Sequence, residues 1–189
     1  MIDPTLFIVA VLSLLATPGP TNTLLATSGA TVGVKRSLLL LAGELGGYLL
    51  SIAILRIVLG PVITAVPAFG IALKIAVALY LGWVAWKLWT RNASLTGDGA
   101  VTVRALFVTT LLNPKALIFA FTIIPIEHPT LWAYVVAFAV TVPVVGFAWI
   151  VIGSLIGAAS GERHAGLVRK VASVALVGFA AVLVRSTFG

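Results

Sequence analysis

The chain is a succession of long apolar stretches separated by short polar ones. An α-helix rises about 1.5 Å per residue, so about 20 apolar residues cross the hydrocarbon core of a bilayer. Six stretches reach this length and predict six transmembrane helices in one membrane domain over residues 1–189. They lie near residues 4–27, 38–60, 67–89, 104–126, 130–157 and 167–187.

The composition agrees with a membrane protein and excludes several other classes. Hydrophobic residues make up 61% of the chain and charged residues 9%, which is too few to cover the surface of a soluble globule. The absence of cysteine excludes thiolate metal sites and thiol redox chemistry. The net charge of +7 is scattered over the ends of segments, so we expect no nucleic-acid partner.

The positions of lysine and arginine predict the orientation in the membrane, because cytoplasmic loops are enriched in both. The loops around residues 60–67 and 127–129 contain neither residue, whereas the first, third and fifth loops are flanked by them. Loops one, three and five are therefore predicted to be cytoplasmic, with both termini outside. Arg185 is the exception, which we interpret as snorkelling to the interface. The basic residues that support this orientation are Lys35, Arg36, Lys87, Arg91, Arg104, Arg163, Arg169 and Lys170.

A weak internal repeat pairs the two halves of the chain. A shift of 96 residues aligns Pro18 with Pro114 and Lys74 with Lys170. The halves are about 1–93 and 94–189, each with three predicted spans, so they must cross the membrane in opposite directions. The predicted fold is therefore an all-α membrane protein of six transmembrane helices in a 3+3 inverted repeat, a plan found in many secondary transporters.

Proline interrupts the first and fourth spans at corresponding positions of the repeat. Proline lacks a backbone donor and blocks a continuous helix, so both helices are predicted to be broken. Paired interruptions of this kind mark the central binding site of many transporters, although proline also kinks helices for packing alone. The two interruptions read Thr17-Pro18-Gly19-Pro20-Thr21-Asn22 and Asn113-Pro114-Lys115.

Each break predicts binding groups of both polarities. Free N–H groups at the start of a second half-helix favour a carboxylate, and free carbonyls at the end of a first half favour a cation or an ammonium group. Thr17, Thr21, Asn22 and Asn113 add polar side chains to these groups. A zwitterionic ligand fits this pattern.

Two charged residues lie deep inside predicted spans. Lys115 is near the middle of the fourth span, where a charge costs about 3 kcal/mol or more and needs a partner or water. We expect Glu44 to face the same cavity, where it would pair with Lys115 in a structural ion pair, recognise a substrate ammonium or carry a coupling proton. Lys74 is a further candidate, either as a partner of Glu44 or as a ligand of the substrate carboxylate.

These motifs resemble those of the LysE/RhtB family of bacterial amino-acid exporters. The resemblance extends over nearly the whole chain in the right order. Glu44 matches no motif of that family, so its role depends on its burial alone. The matching residues are the two interruptions with Ala116, Gly33, Ala42-Gly43, and Lys74 with Tyr80-Leu81-Gly82-Trp83.

The resemblance implies a multi-pass exporter in the bacterial inner membrane, with periplasmic termini. It also implies that the proton motive force drives the export of amino acids or close derivatives. The expected partners are therefore the substrate, a coupling proton and membrane lipid, with no cofactor and no resident metal. A homodimer is a further possibility that the sequence leaves open.

Other classes of function fit the sequence less well. An intramembrane enzyme is disfavoured because Asp3 and Asp98 lie outside the spans, no serine lies in a Gly-x-Ser-x-Gly motif and no histidine lies in a span. An exporter of divalent cations or of another small metabolite is the alternative on the same fold. Hard cations prefer several carboxylates, however, and only Glu44 lies deep enough. A purely structural membrane protein would not need two registered breaks and a midspan lysine.

Overall fold

The computed structural model describes residues 3–90, 101–125 and 128–159, together with residues 174, 177, 178, 181, 184 and 185. The described residues are helical apart from short connections, and they contain no strand. Two π-helical segments, Ile54–Leu59 and Phe119–Ile123, continue α-helices without a break. The α-helices are α1 (Pro4–Ala16), α2 (Pro20–Ser37), α3 (Leu40–Ala53), α4 (Gly60–Ala65), α5 (Pro67–Thr90), α6 (Val103–Leu111), α7 (Lys115–Ile118) and α8 (Leu131–Ala159).

Two uninterrupted helical segments are long and apolar enough to cross a membrane. They are Leu40–Ile63, which joins α3, the first π-helical segment and α4, and Leu131–Ala158 within α8. Two bent pairs of helices also qualify if each pair is counted as one span. They are α1 with α2, and α6 with the helical segment Lys115–Ile123. The described residues thus contain two to four candidate spans. Most of the predicted span 167–187 lies outside them, and the count of six and the inverted repeat stay predictions.

The predicted breaks in the first and fourth spans are confirmed. The chain bends by 63° between α1 and α2, and by 52° between α6 and the helix that starts at Lys115. Pro20 is the first residue of α2, where its missing N–H group removes no helical hydrogen bond. Pro114 lies one position earlier relative to its helix, as the N-cap residue of α7. The breaks therefore follow directly from where proline can begin a helix but cannot continue one.

The most extensive contact in the fold joins α2 to α8. Small residues allow it: a Cβ atom added at Gly29 would collide with the Ile150 carbonyl, and one added at Gly153 would collide with the Ala26 carbonyl. Membrane helices commonly associate through small residues, which let their backbones approach closely. This contact fixes the second half of the first broken span against α8.

Close packing also joins α3 to α6. A Cβ atom at Gly47 would lie 2.7 Å from Thr110 Cβ, and one at Gly43 would lie 2.9 Å from the Val103 carbonyl oxygen. The two glycines therefore allow the backbones of α3 and α6 to approach closely. An aromatic cluster completes the core beside the two contacts, with Tyr48 and Phe119 rings 5.7 Å apart and Phe119 and Phe138 rings 4.8 Å apart.

The α2–α8 contact predicts the effect of one added methyl group. Gly153→Ala should lower the free energy of unfolding by about 2 kcal/mol, because the new Cβ atom forces two helix backbones apart. Gly46→Ala is the matched control, since its Cβ atom would lie 3.6 Å from the Phe107 ring, an ordinary contact. Thermal unfolding in detergent measures both variants. Equal midpoints for the two would show that the close approach contributes nothing.

Candidate functional site

The two helix breaks meet in the interior of the protein. The polar residues of the first break contact those of the second, although 92 residues or more separate them in the chain. We call this cluster the junction site and define it as Thr21, Asn22, Tyr48, Thr110, Asn113 and Lys115, with the carbonyl groups of Leu15 and Thr17.

Lys115 connects the second break to the end of α1. Its side chain is buried, with 4% of its surface exposed. The Nζ atom donates a hydrogen bond to the Thr17 carbonyl and lies 3.5 Å from the Leu15 carbonyl oxygen. These carbonyls are at the negative end of the α1 dipole, so an ammonium group is stabilised there. The free carbonyls predicted to hold a cation therefore hold the ammonium group of the protein's own lysine.

Asn22 satisfies the same two carbonyls from the other side of the break. Its Nδ2 atom donates to the Leu15 carbonyl oxygen at 2.7 Å and to the Thr17 carbonyl oxygen at 2.9 Å. A helix end buried away from water needs such donors, because its last carbonyls have no partner within the helix. Asn22 thereby stabilises the bend between α1 and α2.

Asn113 links the second break to α2 and α3. Its Nδ2 atom donates to Thr21 Oγ1 at 2.9 Å and to Tyr48 Oη at 3.2 Å, while its Oδ1 atom accepts from the Lys115 N–H group at 3.0 Å. Thr21 and Thr110 hydroxyl groups lie 3.2 Å apart. These contacts form one buried hydrogen-bonded network over α2, α3, α6 and the start of α7.

The start of α2 lies beside the Lys115 side chain. Gly19 is the N-cap residue of this helix and has no side chain to accept a hydrogen bond. Among the described residues no side chain caps the helix, so its first N–H groups are open to an acceptor. A Cβ atom at Gly19 would lie 3.3 Å from Lys115 Cε and 3.5 Å from its Nζ atom. A helix N-terminus with a lysine beside it is suited to binding a carboxylate.

Glu44 is buried nearby on α3 without a partner for one of its oxygens. The side chain is 1% exposed, and Oε2 accepts no hydrogen bond from any described residue. Glu44 and Lys115 are near enough to interact electrostatically. The carboxyl group packs against Gly146 of α8, where a Cβ atom would collide with Oε2.

The structure brings most of the predicted site residues together. Thr21, Asn22, Asn113 and Lys115 contact one another directly or through the α1 carbonyls. Thr17 contributes its carbonyl, while its hydroxyl donates to Ser13 O of its own helix. Pro18, Gly19, Pro20 and Pro114 form the two breaks, and Glu44 adjoins them.

Lys74 is not placed at the site. Its backbone belongs to α5, and its side chain lies outside the described residues. Its expected pairing with Glu44 or with a substrate carboxylate therefore stays a prediction.

Three residues of this region were not predicted as site residues. Tyr48 joins the site through its hydroxyl group, which accepts from Asn113. Its position four residues after Glu44, on the same helix face, is the signal that could have identified it. Thr110, three residues before Asn113, carries a similar signal. Gly146 carries none, because its contact with Glu44 depends on the packing of α8 against α3.

Metal ligation has little support in this geometry. Within residues 3–90, 101–125 and 128–159, no three side chains of His, Cys, Asp or Glu come together as a metal site would require. The Leu15 and Thr17 carbonyl oxygens could ligate a hard cation, but both accept from Asn22, and the Lys115 ammonium group beside them would repel a cation.

Comparison with protein families agrees with this arrangement. The model of the family described as LysE type translocator matches residues 12–187. The chain belongs to this family. No curated protein and no solved structure matched the chain.

Membership implies an exporter of amino acids or related small molecules. LysE translocators are transporters rather than enzymes, and the apolar helices of this one identify it as a membrane protein. The resemblance of the sequence to the LysE/RhtB family is thus confirmed.

The bond pattern of Asn22 predicts a stability effect. Asn22→Ala in this LysE translocator should lower the free energy of unfolding by about 1–3 kcal/mol, because the Leu15 and Thr17 carbonyls lose the donor that the buried Asn22 amide supplies. Thr31→Ala is the control, since its exposed hydroxyl bonds only to its own helix. Thermal unfolding in detergent measures both. A loss for Asn22→Ala no larger than for Thr31→Ala would contradict the role of the amide.

Proposed function

We propose that this LysE translocator exports amino acids or close derivatives from the cytoplasm by proton-coupled alternating access around the junction site. The observation that supports the proposal best is the meeting of two broken helices at a buried lysine. Structural kinks for packing would not require Lys115 and Glu44, two charged residues, in the same interior. Paired broken helices with charged groups beside them are typical of substrate sites in secondary transporters.

The substrate carboxylate is proposed to bind at the start of α2. The open N–H groups of that helix and the Lys115 ammonium group lie on adjacent sides of Gly19. An arriving carboxylate would draw Lys115 away from the α1 carbonyls, since an ion pair of this buried ammonium group is stronger than its contact with neutral carbonyls. Binding would therefore weaken the connection between the two breaks.

That weakening gives a mechanism for the conformational change. The inward and outward states would differ in the angle at each break, and the hydrogen bonds of Asn113 and Lys115 across the breaks would be exchanged for bonds to the substrate. A ligand shifts such an equilibrium only through contacts that differ between the two states. The tight α2–α8 and α3–α6 contacts would move as rigid units, with the breaks as hinges.

The orientation follows from the basic residues of the cytoplasmic loops. Lys35 and Arg36 at the end of α2 and Arg104 at the start of α6 are exposed, as residues at a membrane surface should be. We propose that this end faces the cytoplasm of a bacterial inner membrane and that both termini face the periplasm. The substrate would then enter from the end that these three residues mark.

Efflux of amino acids from bacteria that express the protein tests the proposal. Mass spectrometry of the medium over the full panel of amino acids should show selective export by the natural sequence. Lys115→Ala should lower the initial rate by about tenfold or more, because the substrate carboxylate loses a charged hydrogen bond. Lys35→Ala, an exposed lysine of the same chain, should retain the rate.

The outcome of the efflux experiment is decisive when the protein is shown to be in the membrane. Absence of every amino acid above background would overturn the assignment of the substrate class and favour another small metabolite. Equal rates for Lys115→Ala and Lys35→Ala would leave an exporter whose site is elsewhere.

The prolines of the first break should be needed for transport rather than for insertion. Replacing Pro18 and Pro20 together by alanine allows a continuous helix through the break and should lower efflux at least tenfold, with the amount of protein in the membrane maintained. The single change Pro61→Ala, in α4 and outside both breaks, is the matched control. Undiminished efflux by the double variant would contradict the hinge.

A further inference from the structure

In the part of the chain that the structure describes, one buried side-chain acceptor has no donor. Glu44 Oε2 is enclosed between α3 and α8, and none of the described residues donates to it. An ionised carboxylate in such a place is unstable unless a cation or a hydrogen-bond donor neutralises it. Its position inside the protein therefore requires either a bound proton or a cationic partner.

The neighbouring acceptors are already in use. The Leu15 and Thr17 carbonyls each accept from Asn22, and Lys115 donates to the Thr17 carbonyl as well. Even if Lys115 moved toward a substrate carboxylate, the Asn22 amide would remain on both carbonyls. Among the described residues of this region, Glu44 is thus the acceptor that is available to a donor group of a ligand.

The space around Oε2 depends on a glycine. A Cβ atom at Gly146 would collide with Oε2 and would lie 2.8 Å from Leu41 Cδ2. Any side chain at position 146 would therefore displace the carboxyl group. The absence of a side chain allows α8 to close over Glu44 and leaves the oxygen facing bare backbone.

Few other titratable groups face Glu44. Lys115 of α7 is the positive charge that acts on it, and Tyr48, one turn further along α3, also interacts with it electrostatically. From α8 it meets Gly146, and residues 131–159 contain no charged residue. On α1 and α2 the first lysine or arginine is Lys35, which is exposed, as is Arg104 of α6.

We propose that Glu44 and Gly146 form a single cation site that a proton and the primary ammonium group of the substrate occupy in turn. This inference rests on the proposed function, because it assigns the ammonium half of the same substrate. The carboxylate half binds at Lys115 and the start of α2. Glu44 then distinguishes amino acids and amines from simple carboxylic acids.

Alternate occupancy accounts for the coupling. When the ammonium group arrives, the proton leaves Glu44 for solvent and the carboxylate pairs with the ammonium group, so the site stays neutral throughout. When the substrate leaves on the outer side, a proton from that side takes its place. One proton therefore enters for each substrate molecule that is exported. Glu44 binds either the proton or the ammonium group, never both at once.

Proton release on binding of a small amine tests the proposal without knowledge of the natural substrate. The purified full chain in nanodiscs, in weakly buffered solution with a pH indicator, is mixed with methylammonium chloride adjusted to the same pH. The measurement is repeated from mildly acidic to mildly alkaline pH, where a primary amine stays protonated. We expect release that approaches about one proton per chain at some pH in this range.

Three variants and a second cation identify the site of release. Glu44→Gln keeps the shape and removes the titrating oxygen, so it should release no proton. Gly146→Ala should release less than half as much, because the added methyl group occupies the space beside Oε2. Gly46→Ala makes the same change on α3 with ordinary contacts and should behave as the natural sequence does. Tetramethylammonium, which has no N–H donor, should release none.

The results separate this inference from the proposed function. Equal release by Glu44→Gln and the natural sequence, or no release at any pH, would overturn the inference even if amino acids are exported. Release that depends on Glu44 would support the site even if the efflux panel shows no amino acid. If Glu44→Gln does not fold, Glu44→Asp with a displaced carboxyl group replaces it, and unchanged release there and in Gly146→Ala would reject the site.

Discussion

The structure depends on the need to satisfy backbone carbonyls at the helix end beside the first break. Leu15 is buried and Thr17 is half-buried, and their carbonyl groups lie past the last helical hydrogen bonds of α1. Asn22 supplies a donor from α2, and Lys115 supplies another from the start of α7. Since Lys115 belongs to the second break, the same contact that completes the first broken span also holds the two breaks together.

This constraint explains why a charged residue is tolerated inside the membrane domain. The carbonyls at the end of α1 provide a negative surface for Lys115, and Glu44 adds a carboxyl group on its other side. The burial of Lys115 is compensated by its hydrogen bond to the Thr17 carbonyl, and the opposite charges of Lys115 and Glu44 attract each other. In the proposed mechanism, a zwitterionic substrate replaces these internal contacts with its own two charged groups.

Much of the site was predictable because proline acts locally. Pro18, Pro20 and Pro114 end and begin helices through their own covalent geometry, so the positions of both breaks followed from the sequence and were confirmed. The depth of Lys115 and Glu44 followed from helical rise. What the two residues contact did not follow, because Lys115 reaches the carbonyls of another helix and Glu44 lies against a glycine on α8.

By itself the sequence determined the membrane environment, the two breaks and the family, since apolar length, proline and a conspicuous motif are properties of consecutive residues. The tertiary structure decided which polar groups meet. Tyr48 and Thr110 join the network, and Gly146 closes over Glu44, because packing at α3–α6 and α3–α8 places them there. Contacts between residues distant in the chain depend on helix approach, which in this protein is set by the small residues where backbones touch.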